Sequence, residues 1–179
     1  VDGSLILSSL PRIRLPRRLK VAGDLVLTYS SFPSLPEELF VGEDLILSDS
    51  SACELPAGLH VGRRLVLEGL SGLVFPDPFE IEGDLVINET QVVLPSVLRI
   101  GGRLHLQRSP LTSLPPHVSV GLTLNLRDSA IASLPDGLHV GGDLDLTGTP
   151  LAKLPRGLVV GGMLQASEAR FDTLPDDLR

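Results

Sequence analysis

Apolar and polar positions along this 179-residue chain repeat on a twenty-residue period. From Val140 the chain reads VGGDLDLTGTPLAKLPRGLV, and from Val41 it reads VGEDLILSDSSACELPAGLH. Nine units start at Val1, Val21, Val41, Val61, Ile81, Ile100, Val120, Val140 and Val160, and only the fifth is one residue short. Counting each unit from its Val or Ile, position 5 is Leu in all nine, and position 7 is Leu or Ile in eight, Ala166 being the exception. Leu-Pro stands at 15 and 16 in eight units, with Phe75-Pro76 as the ninth, and an apolar residue follows near 19. The Leu-x-Leu alternation predicts a short strand with one buried face. A fixed period near twenty predicts a solenoid of stacked coils. Nine strands at about 4.8 Å spacing make a parallel sheet about 40 Å long.

The other recurring positions say how a coil closes. Gly is frequent at 2 and 3, where a tight bend into the strand is expected. Position 10 is Ser or Thr in six units (Ser30, Ser50, Thr90, Ser109, Ser129, Thr149). A hydroxyl repeated at one depth is expected to satisfy turn backbone groups that stacking would otherwise bury unpaired. Pro at 16 fixes its own φ and keeps its predecessor extended, so the return stretch is expected to be extended or looped, not helical. The expected fold is therefore a mainly β repeat solenoid forming one domain, 1–179, with one parallel sheet.

The string Leu-x-Leu-x-x-Asn-x-Leu-x-x-Leu-Pro of the leucine-rich repeats is matched by Leu144, Leu146, Thr149, Leu151, Leu154 and Pro155. Over all nine units the chain resembles that family, and most of all the short repeats of bacterial effector proteins. The resemblance implies a right-handed coil that binds a protein partner through a concave sheet face. Two departures stand out. Ser or Thr replaces the family's Asn, and Gly replaces a usual Leu at Gly42, Gly62, Gly101, Gly121 and Gly141. The curvature stays open, with a straighter parallel β-helix as the alternative.

The face implied for binding carries position 6: Ile6, Val26, Ile46, Val66, Val86, His105, Asn125, Asp145 and Gln165. Five β-branched apolar residues are followed by four polar ones, and the change falls at the shortened unit. An apolar stripe of this length marks a contact surface, although β-branched residues also favour strands for their own sake. Position 4 supplies Asp24, Asp44, Arg64, Asp84 and Arg103 beside it. The alternating signs from Asp44 to Arg103 read as a cross-strand ladder or as recognition. Asp24 beside Asp44 is unfavourable and calls for a basic partner. Thr28, Glu68, Asn88, Gln107 and Arg127 add position 8.

Composition narrows the function further. The net charge of −7 disfavours nucleic acid and anionic membrane as partners. Residues 1–20 run against that balance with Arg12, Arg14, Arg17, Arg18 and Lys20, either a docking patch or a solvated outer side. One cysteine, Cys53, excludes an internal disulfide framework and has no His clearly placed to activate it. His60 and His139 share a position but lie four coils apart, roughly 19 Å, too far to share a metal. No catalytic, cofactor or metal site is expected. Arg outnumbers Lys thirteen to two, which points to a GC-rich bacterial genome, and the compartment reads as bacterial cytoplasm or a secreted effector. The chain starts without Met at the beginning of a unit, as a segment of a longer protein would. The expected function is a non-catalytic protein-binding scaffold. The alternatives are a spacer or stalk that self-associates through uncapped ends, and a targeting module of a larger enzyme or effector.

Overall fold

The computed structural model describes residues 1–50, 54–70, 72–171 and 173–179, and Cys53 lies outside them. It is a β-solenoid of parallel sheets, and no helix occurs among the described residues. Positions 5 and 6 of every unit pair in chain order into one nine-stranded sheet. Its third and fourth strands, Asp44–Ser48 and Arg64–Glu68, are the longest. Leu5, Leu25, Leu45, Leu65, Leu85, Leu104, Leu124, Leu144 and Leu164 stand in one in-register rank. The rank points inward because a one-residue slip would expose it.

The return stretch holds more order than expected. Positions 19 to 1 read apolar, outward, apolar, as in Leu39-Phe40-Val41, which is buried, exposed, buried. These segments form a second column of strands beside the first. The column is split into a three-stranded piece ending at His60–Val61 and a five-stranded piece beginning at Phe79–Ile81. On a third side, isolated bridges join Glu54 to Val74 and Ser113 to Ser133. Between residues 113–125 and 133–145 the coils are therefore paired at strand spacing on three sides. These two coils stack without splaying on any of the three sides.

Position 2 glycines lie in the bend expected of them, and close stacking is what requires them. A Cβ on Gly42, Gly62, Gly121, Gly141 or Gly161 would overlap the carbonyl oxygen of the position-2 residue one coil back. Only a residue without Cβ lets the backbones approach this closely. Glu82 stands where this glycine is missing, and the coil there slides by one residue. Gly83 fits over the Arg63 carbonyl instead. The break in the second column falls at this corner.

The turn after each strand is made by position 9. All nine residues there have positive φ, and only Gly69 and Gly148 are glycine. Tyr29 (φ 50°) and Arg108 (φ 52°) are the bulkiest side chains in that column. The left-handed residue turns the chain inward and buries the position-10 hydroxyl, which pairs as expected. Ser30 Oγ donates to the Leu7 carbonyl at 2.8 Å, Ser50 Oγ to Leu27 at 2.5 Å, and Thr90 Oγ1 to Leu67 at 3.1 Å, each one coil back. Beyond the short unit the same group turns to its own coil: Ser129 donates to Leu126 at 2.6 Å and Thr149 to Leu146 at 2.8 Å. One continuous aliphatic cluster fills the interior, with Phe75 edge-on to Phe79 at 5.1 Å.

Candidate functional site

The pleat fixes which side chains leave the core. With Leu or Ile inward at 5 and 7, positions 4, 6 and 8 face outward on the nine-stranded sheet. Val26, Ile46, Val66, Val86, His105, Asn125 and Asp145 pair directly, each with the next, so position 6 is one unbroken rank. Their flanks shield one another at strand spacing. Each of these seven is half-buried, while Ile6 at the near end is 67% exposed.

Position 4 is tied largely to the protein itself. Asp44 is 2% exposed, and its Oδ2 receives Arg64 Nη2 at 2.5 Å and Arg63 Nη2 at 2.8 Å. This bond, with the negative field of the carboxylate, raises the Arg64 pKa above its ordinary value. Asp44 Oδ1 has no partner. Arg103 reaches Asp84 at 3.5 Å. The expected ladder thus resolves into two pairs, Arg64 with Asp44 and Arg103 with Asp84. The carboxylates also receive backbone amides of the next coil: Asp24 Oδ1 takes Asp44 N–H at 3.0 Å and Asp84 Oδ1 takes Arg103 N–H at 2.7 Å. Asp24 finds its base inside the chain, since Arg63 Nη2 lies 3.8 Å away, while Arg63 Nε ion-pairs with Glu43 at 3.2 Å. Sequence reasoning missed Arg63. Its signal was an arginine at position 3, where glycine is usual.

Asn125 and Asp145 also turn inward, accepting the amides of Arg127 at 3.1 Å and Thr147 at 2.9 Å on their own strands. His105 sits between Val86 and Asn125. Burial lowers its pKa; Asp84 opposes the shift and Arg103 adds to it. Position 8 carries a polar ladder, with Ser8 and Thr28 hydroxyls 2.8 Å apart and Asn88 Nδ2 donating to Glu68 at 3.2 Å.

Two features beside the face were not foreseen. Tyr29, the only tyrosine, is 67% exposed at position 9. A notch of about 390 Å³ opens over Gly69, lined by Ser48, Asp49, Glu68, Asn88, Glu89 and Arg108. The rest of the surface offers less chemistry. His60 stacks on Phe40 at 4.5 Å with Lys20 5.0 Å from the same ring, and His117 and His139 are exposed. Among the described residues no group of three His, Cys, Asp or Glu side chains converges to hold a metal ion.

Comparison of the chain with protein-family models, with curated proteins and with solved structures finds no match.

Proposed function

We propose that the chain is a non-catalytic scaffold for protein–protein interaction, built on a repeat related to the leucine-rich repeats. It contacts its partner through the outer face of the nine-stranded sheet. The observation that carries this reading is the rank Ile6, Val26, Ile46, Val66 and Val86, five apolar side chains in register on an outward surface. Outward positions of a soluble sheet alternate with the core and are ordinarily polar. The site residues are Asp24, Val26, Asp44, Ile46, Arg64, Val66, Asp84, Val86, Arg103, His105, Asn125 and Asp145. Val26, Ile46, Val66 and Val86 supply apolar area, His105, Asn125 and Asp145 continue the rank with polar groups, and the position-4 charges hold the strands in place.

The test replaces Val26, Ile46 and Val66 together with Asp. These side chains lie outside the core, so the circular dichroism spectrum should stay native while capture of the partner is lost. A natively folded variant that still binds sinks the reading. One observation favours a second reading, a passive spacer. Asp44 Oδ2, Asn125 Oδ1 and Asp145 Oδ1 are spent on the protein itself, as in a purely structural ladder. Full retention of function by the triple variant favours the spacer.

A further inference from the structure

The charge around the apolar rank is lopsided, and the imbalance gives the partner a chemistry. On positions 3, 4, 8 and 9 of the first five units stand seven carboxylates and two guanidinium groups, Arg63 and Arg64. Both guanidinium groups are held by Asp44. On the same positions of the last four units acids and bases balance at three each. By formal count the negative charge of the face lies where the rank is apolar; Arg103 and Arg108 of the sixth unit reach back to Asp84 and Glu89, which leaves Asp49 and Glu68 as its carboxylates outside ion pairs among the described residues. The basic residues of the first unit do not offset it, because Arg12, Arg14, Arg17, Arg18 and Lys20 occupy positions 12 to 20, away from this sheet.

Among the described residues Asp49 and Glu68 are in no ion pair, Glu68 accepts from Asn88 Nδ2 at 3.2 Å, and both open onto the notch over Gly69 next to the rank, which Arg108 also lines. Exposed Tyr29 stands one coil before Asp49 at the same position, an aromatic surface on which a cation can rest. An apolar strip edged by carboxylates that no cation holds is complementary to a segment that carries apolar and cationic side chains together.

Resting on the reading above, we infer that the first five units dock a basic protein segment. Its apolar side chains lie along Val26, Ile46 and Val66, and its Lys or Arg side chains meet Asp49 and Glu68. A second copy of this chain fits less well, since like faces would bring carboxylates together.

Three dye-labelled ten-residue peptides test this by fluorescence anisotropy: alternating Lys/Val, Lys/Ser and Glu/Val. The Lys/Val peptide should bind at least tenfold tighter than either other peptide, and more weakly as salt is raised. Val26→Ser with Val66→Ser should reduce Lys/Val binding to the Lys/Ser level. The isosteric pair Asp49→Asn and Glu68→Gln should weaken it severalfold and flatten its salt dependence. Equal binding of Lys/Val and Lys/Ser, or of Lys/Val and Glu/Val, overturns the inference. So does a concentration-dependent dimer that the Lys/Val peptide dissolves, since the face would then belong to a second copy. These outcomes are separate from the triple-variant test. Loss of partner binding in that variant without peptide discrimination removes only the basic partner, whereas retained partner binding removes the face itself.

Discussion

The amide of Asp84 donates to the carbonyl of Arg63 at 2.8 Å. In every other coil pair this bond starts one residue earlier, at position 3, as from Gly102 to Gly83 at 3.1 Å and Gly142 to Leu122 at 2.8 Å. The slip follows from Glu82. From the unit at Val41 onward the slot over the preceding carbonyl holds glycine, and at the Ile81 unit Gly83 takes it, so the Glu82 amide loses the bond that the other units, Ala22 included, make from position 2 to position 1. Restoring the glycine should restore the register. In Glu82→Gly the amide of residue 82 should become protected by a bond to Val61, read as slowed hydrogen exchange. Unchanged exchange would assign the slip to another cause.

The same slot predicts a graded response to alanine. Gly121→Ala sets a methyl group against the Gly101 backbone, which cannot rotate away. It should cost about 1–3 kcal/mol, the range for overpacking. Gly3→Ala meets nothing within 4 Å and should leave the denaturation midpoint unchanged. Equal midpoints for the two variants would remove the stacking role of position 2.

Thr90 is predicted to matter more than Thr149. Thr90 Oγ1 donates to Leu67 and receives the Gly69 amide at 3.1 Å, so it joins two coils. Thr149 Oγ1 donates only within its own coil, to a carbonyl that also receives the Thr149 amide at 3.2 Å. Thr90→Val strands a part-buried donor and a buried acceptor and should cost about 1–3 kcal/mol, with Thr149→Val near the lower limit. Urea titrations of the two variants measure the difference, and a larger loss at Thr149 would contradict it.

His105 links stability to pH. Its imidazole is half-buried, and burial disfavours the charged form. The unfolded chain, whose histidines titrate at about 6.5, therefore takes up the proton first as pH falls. This contribution is fully present above about pH 6.5 and is lost as pH drops from there toward the depressed folded value. The His105 ring should titrate below 6.5 by NMR, and His105→Asn should remove this part of the pH dependence. A folded midpoint above 6.5 would reverse the sign.

The period, the strand and the buried hydroxyl were all legible because each depends on one residue type recurring at one place. Leu5 to Leu164 needs only a pleat to point inward, and Ser30 or Thr90 needs only a buried carbonyl nearby. The second strand column was written in the same alternation, as Leu19-Lys20-Val21, but it straddles the boundary between units. Position 9 gave no sign. Ser9, Tyr29, Glu89 and Arg108 share no residue type, and their left-handed conformation is imposed by the bonds that flank the turn. At the candidate face the outward rank was readable. The capture of Arg63 and Arg64 by one buried carboxylate depends on which coils touch, and that is a property of the stack.

The glycine slots also determine how such an array can change length. Excising residues 120–139 would set Gly141 directly over Gly101, a joint like the one Gly121 makes now. Whole coils in the later part of the chain share this joint, and gain or loss by recombination would keep the glycine slot and the leucine rank at the seam. The unit from Ile81 is not interchangeable in this way, because its slipped corner and missing residue match only the neighbours it has. It marks a fixed point, with the apolar half of the face on one side of it and a half free to lengthen or shorten on the other.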